Sequence, residues 1–399
     1  MDVVLAEDFF PQIGGAHLWL YEAYQRWPTP VKLLTRRYDR SPEELQAEIE
    51  FDRRAHGSAA ITRRDITVGE IDLLKSSCRQ RFRRVASEIH ALADRRPVTI
   101  HCLRAFPEGF AGLIAKLRNP FRTRLITFAH GEEILVAKSS RQLRQMAAAV
   151  YRFSDVVIAN SQSTEGLVRE LAATANIVSV HPGVDVNAYR RDQGEIERYR
   201  RQWDWPEETV VVTTIARMEL RKNQAAILRA IASLRREGLQ LGYVCGGDGE
   251  EKQNLASLAR ELGLDCWVRF PGRVTDDQKI LIFGASDIHA MPSIRVGEMI
   301  EGFGIVFLEA GAAGIPSIAG NVGGQAEAVL DGKTGLVVDG TNPRQVSEAI
   351  RKLASDAPLR RQMGQEARSW AQQHDWEVVS AAIQSAVKAV TSKHLGNTE

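Results

Sequence analysis

Residues 298–338 read EMIEGFGIVFLEAGAAGIPSIAGNVGGQAEAVLDGKTGLVV. Glycine is the poorest helix former after proline, so Gly302, Phe303 and Gly304 read as a loop. From Ile305 the pattern turns helical, through Leu308, Ala312 and Ala313. A glycine loop feeding a helix exposes unpaired backbone N–H groups at the positive end of the helix dipole, which suits an anion. Glu309, about one turn inside, cannot bind phosphate, but its carboxylate can accept hydrogen bonds from vicinal hydroxyls. Glu301, ahead of the loop, can do the same for a second sugar. Two carboxylates around one phosphate cradle suggest a ligand with hydroxylated rings on both sides of a charged linker, the form of a sugar nucleotide. Taken alone, the spacing of Glu301 and Glu309 is a short motif that solvated glutamates also produce.

The bulk composition is that of an ordinary globular chain. Its 399 residues suffice for two domains, and 44% hydrophobic with 26% charged residues fits that class. A net charge of +2 gives no field that would call for nucleic acid. Cys78, Cys102, Cys245 and Cys266 show no metal-ligand spacing, and Cys102 and Cys245 lie in apolar runs as small hydrophobes would. The opening MDVVLAEDFF lacks the charged and apolar regions of a signal peptide, and no run is long and apolar enough to span a bilayer, so a cytoplasmic location is expected.

The company that Glu301 and Glu309 keep raises their weight. EGFG is followed by E-A-x-A-x-G-x-P, by Gly323-Gly324 and by Glu327. This combination resembles the C-terminal donor-site motif of family 4 glycosyltransferases, which have the GT-B fold and retain anomeric configuration. The resemblance implies an α/β chain of two Rossmann-like domains facing a cleft. We expect an acceptor domain over 1–190, a nucleotide-sugar donor domain over 191–375, and a last helix over 376–399 that crosses back.

The remaining chain fits that expectation. Residues 3–6 read as a first buried strand, leading through FFPQI to Gly14-Gly15 and a helix. By resemblance, Gly14 and Gly15 face the donor diphosphate. Residues 31–35, 98–103, 125–129, 155–159 and 177–180 read as further strands, whereas 38–67 resist placement. Residues 68–92 read as one amphipathic helix carrying Arg79, Arg81, Arg83 and Arg84, with Arg36-Arg37, Arg53-Arg54 and Arg63-Arg64 nearby. Such a face is either solvated or docks peripherally on anionic lipid at the inner membrane surface. His130, in HGEE after a strand, stands where ligands bind in open α/β sheets and resembles the family's His-Gly turn beside the transferred sugar. His101 reads as structural. Asn160 to Thr164 read as a helix cap, and PGVD at 182–185 resembles the turn that closes the first domain. The charged 190–205 stretch reads as a linker.

Residues 210–215 begin the second Rossmann-like unit. Arg217 and Lys222 follow, at a helix start where the dipole disfavours cations unless an anion lies among them. They resemble the family's R-x4-K diphosphate clamp, with Ala216 and Asn223 where glycines are usual. Arg221 could replace either cation. Gly247 lies in GDG, which resembles a loop near nucleobase and phosphate, and the backbone at Arg273 and Val274 stands where relatives read the base. Residues 352–371 and 378–390 read as the closing helices.

The implied reaction is retaining transfer of a sugar from a nucleotide diphosphate sugar to a hydroxyl acceptor. GDP-mannose and UDP-sugars are both candidate donors, and a glycolipid, polysaccharide precursor or small glycoside a candidate acceptor. Arg217, Lys222, His130 and Glu301 are the candidate catalytic residues. Gly14, Gly15, Gly247, Arg273, Val274, Gly302, Phe303, Gly304, Ile305 and Glu309 are the candidate donor contacts. No residue is nominated as a covalent nucleophile, and two cations on the diphosphate leave a metal cofactor unnecessary. A nucleotide-sugar epimerase on the same fold, or a non-catalytic binding protein, would share most of these features.

Overall fold

Short apolar, β-branched runs become buried parallel strands, and the segments between them become helices covering both faces. The computed structural model describes residues 1–9, 14–36, 46, 59–64, 66–68, 71–94 and 96–391. Residues 10–13, Arg37, Arg53 and Arg54 lie outside these. The chain forms two compact units, Met1–Pro182 with Trp376–Glu399, and Gly183–Asp375.

The first unit holds β1 (Asp2–Leu5), β2 (Val31–Arg36), β3 (Ala59–Arg64), β4 (Val98–Cys102), β5 (Thr123–Ala129), β6 (Val156–Ala159) and β7 (Ile177–Ser179). Their order is β3-β2-β1-β4-β5-β6-β7, and every pairing is parallel. Val3 stands opposite Lys32 on one side and Ile100 on the other. Leu5, Ile100, Leu125 and Val157 form the sheet's share of a core closed by Phe82, Val85 and Ile89 of the helix Ser76–Ala93. The terminal helix Trp376–Thr391 also belongs here: Ser380 donates to the Ala23 carbonyl at 2.8 Å, and Arg26 pairs with Glu377 at 3.0 Å.

The second unit repeats the plan with β8 (Val210–Ile215), β9 (Leu241–Gly246), β10 (Val268–Gly272), β11 (Ile288–Met291), β12 (Ser317–Gly320) and β13 (Gly335–Val338). The order is β10-β9-β8-β11-β12-β13, again all parallel. Both sheets therefore reverse winding direction once, between β1 and β4 and between β8 and β11. Ligands of open α/β sheets bind beyond the carboxyl ends of the strands at such a reversal.

Several elements differ from their sequence reading. The amphipathic helix starts at Ser76, not at 68, because the Asp72 carboxylate accepts the Leu74 N–H at 3.0 Å and its carbonyl accepts from Lys75. Leu74 is thus outside the helix and 87% exposed. The stretch read as a linker contains the helix Gln193–Arg201, capped by Asp192 and packed through Ile196 on Gly284. The first unit ends at Pro182, ahead of the boundary expected after Arg190, because Val184, Val186 and Tyr189 join the second unit's core. What read as one helix over 352–371 is two, Pro343–Ser355 and Ala357–Gln372, broken where Asp356 caps the second.

Candidate active site

In the second unit, the loops after β8 and β11 meet. The β8 loop is clamped by the Gly247-Asp248-Gly249 turn: Met218 donates to the Asp248 carbonyl at 2.9 Å, and Glu251 to the Met218 carbonyl at 3.0 Å. Gly247 has φ 135°, and a Cβ there would lie 1.9 Å from the Ala216 carbonyl oxygen, so only glycine fits. The loop then tightens into the 3-10 turn Leu220–Lys222 and ends at Asn223, φ 61° and ψ 30°. Asparagine tolerates this left-handed conformation, which explains how it stands where glycine is usual. Its side-chain amide also donates to the Pro292 carbonyl at 3.1 Å and the Gly340 carbonyl at 2.7 Å, tying the β8 loop to the β11 loop.

Glu301, on the β11 loop, receives the cations of the β8 loop. Its Oε2 accepts from Lys222 Nζ and, at 3.2 Å, from Arg221 Nη1. Arg221 Nε donates to Glu219 Oε2 at 2.8 Å, and Glu219 Oε1 pairs with Arg217 at 2.8 Å. Arg221, Lys222 and Glu301 are largely buried, whereas the Arg217 side chain is 67% exposed. Burial alone would raise the Glu301 pKa, but Lys222 and Arg221 reverse that and hold its carboxyl below the usual range. The Glu301 backbone is fixed from behind: its carbonyl accepts the Gly324 N–H at 3.0 Å, and Gly323, φ 73°, packs directly on it. Buried Gln325 accepts from Ser293 and Gly320 N–H groups and donates to the Ser293 and Val322 carbonyls, bracing the same loops.

Gly304 caps the helix Ile305–Ala313 with φ 91° and ψ 75°, and a Cβ there would meet the Phe307 ring at 2.6 Å. Gly302 and Ile305 are half-buried and Phe303 is buried. The Phe307 N–H donates to the Gly304 carbonyl at 3.0 Å, while the Ile305 and Val306 amides ahead of it have no intrahelical acceptor and can take an anion. Glu309 Oε1 accepts from Lys279 Nζ at 2.6 Å. Burial opposes the charge on Lys279, but Glu309 and Asp276 hold its pKa above the ordinary lysine value. Burial and then the Glu309 charge push the Tyr189 hydroxyl well up. Beyond β10, Arg273 is exposed and Val274 half-buried against the β9 end at Gly246. Lys279 and His289 were not nominated as contacts by the motif spacing, and Arg221 was named only as able to replace either clamp cation. His289, fully buried on β11, bonds Ser317 Oγ at 3.0 Å and stacks near Phe307. Burial first and the Lys222 charge second push its imidazole down to about 3.

The first unit gathers its polar groups at the ends of β1, β4 and β5. His130 Nε2 lies 2.7 Å from the Leu103 carbonyl, which can only accept, so Nε2 carries the proton and Nδ1 of the neutral ring has a lone pair. Burial pushes this imidazole down to about 4, despite that bond. Its backbone N–H donates to Glu133 Oε1 at 2.8 Å, and Trp19 meets the ring edge-on. Gly14 caps the helix Gly15–Gln25 in extended conformation, and both glycines are exposed. His17 follows one turn in, with both ring nitrogens buried, its pKa pushed to about 4 by burial and then by Arg104. His101 is structural, buried between Tyr24 at 2.7 Å and Asp2 at 3.0 Å. Ser161 caps the helix Gln162–Leu171 through the Thr164 N–H.

Comparison with known proteins agrees in sequence and in fold. Residues 14–188 match the model described as Glycosyltransferase Family 4, and residues 195–370 that described as Glycosyl transferases group 1. A GDP-mannose-dependent alpha-(1-6)-phosphatidylinositol monomannoside mannosyltransferase of Mycobacterium tuberculosis is 31% identical over 300 residues, 72% of this chain and 77% of that protein. A D-inositol 3-phosphate glycosyltransferase of Corynebacterium jeikeium is 36% identical over 240 residues, 58% of this chain and 56% of that protein. Anabaena HepE in complex with UDP superposes with TM-score 0.78 at 20% identity, covering 97% of this chain and 99% of that one. Sucrose-phosphate synthase from Thermosynechococcus elongatus gives 0.76 at 19% identity, covering 98% and 99%. The chain therefore belongs to the family 4 and group 1 glycosyltransferases of GT-B fold, enzymes that move a sugar from a nucleotide diphosphate sugar to a hydroxyl acceptor.

Proposed function

We propose that this enzyme is a retaining hexosyltransferase whose donor diphosphate is held by Arg217, Lys222 and the amides around Gly304. The observation that carries this is the meeting of Lys222, Arg221 and Glu301 at the sheet reversal between β8 and β11. Glu301 pairs with Lys222. A diphosphate, with more negative charge, would draw Lys222 away and leave the carboxylate able to accept sugar hydroxyls. Glu309 would hold the ribose, with Lys279 keeping it ionised. The leaving diphosphate builds negative charge in the transition state, and preorganised cations oppose it without reorganisation. Front-face attack, the leaving phosphate helping to take the acceptor proton, then needs no covalent nucleophile. In the first unit, His130 offers a neutral ring whose Nδ1 has a lone pair able to take a proton.

GDP-mannose is the favoured donor and a lipid-linked polyol the favoured acceptor, because the mycobacterial relative is named for that donor and for a phosphatidylinositol acceptor. Peripheral membrane contact is supported by Arg79, Arg83 and Arg84, exposed on the helix Ser76–Ala93. Arg118 beside them donates to the Arg83 carbonyl at 3.2 Å, close to Leu117 and to Phe121, which is 93% exposed. No helix among the described residues is long and apolar enough to cross a membrane. Thermal-shift titration with GDP and UDP tests the donor assignment: a ligand at about 100 times its Kd adds roughly 2.7 kcal/mol of stability. A shift with GDP at lower concentration than with UDP supports the reading, the reverse order transfers it to UDP-sugars, and no shift with either refutes the site.

A further inference from the structure

We infer that Arg221 is a positioning residue, the permanent counter-ion that keeps Glu301 in place after Lys222 leaves it for the donor. The inference rests on the proposed roles of Glu301 and Lys222 and adds a residue that the two-cation clamp does not include.

The two cations on Glu301 are held differently. Lys222 is a single ammonium on a flexible stem, and among the described residues its ammonium bonds Glu301 Oε2 alone. Arg221 is a planar fork gripped at two points: Nε by Glu219 Oε2 at 2.8 Å, and Nη1 on Glu301 Oε2 at 3.2 Å. Its backbone carbonyl accepts the Ile294 N–H at 2.9 Å, fixing it to the same β11 loop that carries Glu301. The Arg221 and Lys222 side chains are equally buried, at 9% and 10% exposed, so the two-point grip and not access separates them, whereas Arg217 is 67% exposed. Glu219 is shared between Arg221 and Arg217, and a diphosphate that draws Arg217 away leaves Glu219 wholly to Arg221.

Donor binding is therefore a counter-ion exchange. Two cations each held by one carboxylate, Lys222 and Arg217, pass to phosphates, and the Glu219–Arg221–Glu301 chain remains. Without Arg221, the departure of Lys222 would leave Glu301 a buried carboxylate with no cation, and its protonation would follow. A protonated Glu301 would donate where the sugar hydroxyls need an acceptor. The charged groups bearing on Glu301 are Lys222 and Arg221 from the β8 loop. Glu219 and Arg217 stand one step behind, His289 of β11 is buried and neutral beside Lys222, and the Gly323-Gly324 loop presents backbone alone.

The test follows nucleoside diphosphate release from GDP-mannose and from UDP-glucose against pH in wild type, Arg221→Met, Arg221→Lys, Glu219→Gln and Glu301→Gln. Arg221→Met should lower kcat about tenfold to a hundredfold, the worth of one hydrogen bond to a charged group. It should also move the acid limb of kcat to higher pH while leaving the apparent affinity for GDP or UDP within about threefold of wild type. Arg221→Lys should recover part of kcat and of the limb, and Glu219→Gln should move the limb the same way by less. A folded Arg221→Met enzyme with an unmoved acid limb overturns the inference; if that variant does not fold, an unmoved limb in both Arg221→Lys and Glu219→Gln does so. Should Glu301→Gln itself match wild type, the reading of the donor site fails instead.

Discussion

Gly323→Ala should damage the site without touching any charged group. Gly323 sits at φ 73°, where alanine costs about 1–2 kcal/mol. A Cβ there would also lie 2.1 Å from the Glu301 carbonyl oxygen and 3.1 Å from its carbon. Ordinary contact begins about 1 Å farther out, so the Glu301 backbone must retreat by roughly that much. The same carbonyl accepts the Gly324 N–H, so the displacement strains a second contact. A 1 Å misplacement of a positioning group costs on the order of 10² in rate. Gly332→Ala is the matched control, since Gly332 has φ 70° and nothing within 4 Å of its would-be Cβ. Gly332→Ala should melt roughly 2–8 °C below wild type, and Gly323→Ala, with the clash added to the same strain, lower still. Only Gly323→Ala should lose about a hundredfold in nucleoside diphosphate release from GDP-mannose or UDP-glucose. A folded Gly323→Ala enzyme as active as Gly332→Ala would refute the claim that this glycine positions Glu301.

Asn223→Ala should destabilise the second unit by about 2–4 kcal/mol in chemical denaturation, from left-handed strain and two lost amide bonds. Asn223→Gly, which relieves the strain but not the lost bonds, should cost about half as much. Stability should also fall on acidification. His17 and His130 are held down to about 4 and His289 to about 3, so each takes a proton in the unfolded chain, near pH 6.5, well before it does in the folded one. Their contribution is complete above about pH 6.5 and is lost as pH falls toward those values, and urea midpoints at about pH 7 and 5 should differ accordingly. Replacing His289 by Asn should flatten that dependence, and an unchanged slope would mean the imidazole is not buried neutral.

Legibility in the sequence followed the range of the interaction. Continuous apolar runs such as 210–215 announced buried parallel strands, and Gly302 to Gly304 announced the loop before the helix Ile305–Ala313, because both signals are local. The edge strand β3 was missed: AAITRR carries charge where a central strand would not, and only its parallel pairing with β2 makes it a strand. The helix Gln193–Arg201 has no fully buried residue, so no apolar stripe advertised it. In the site, Lys222 and Glu301 were nominated separately, seventy-nine residues apart, and the structure joins them. Lys279 on Glu309 has no sequence signature, since a salt bridge across thirty residues leaves no period behind. Arg221 stood beside a motif lysine, and nothing in the chain order distinguished an exchangeable cation from a pinned one.

The most direct test of the account is the rate of nucleoside diphosphate release from GDP-mannose and UDP-glucose by Lys222→Ala, compared with wild type at saturating donor. In the proposed site Lys222 meets the donor diphosphate, so its removal should lower turnover by roughly 10²–10³ in a chain that still folds. Turnover within about threefold of wild type would contradict the central claim, because the charge built on the leaving group would then be stabilised elsewhere.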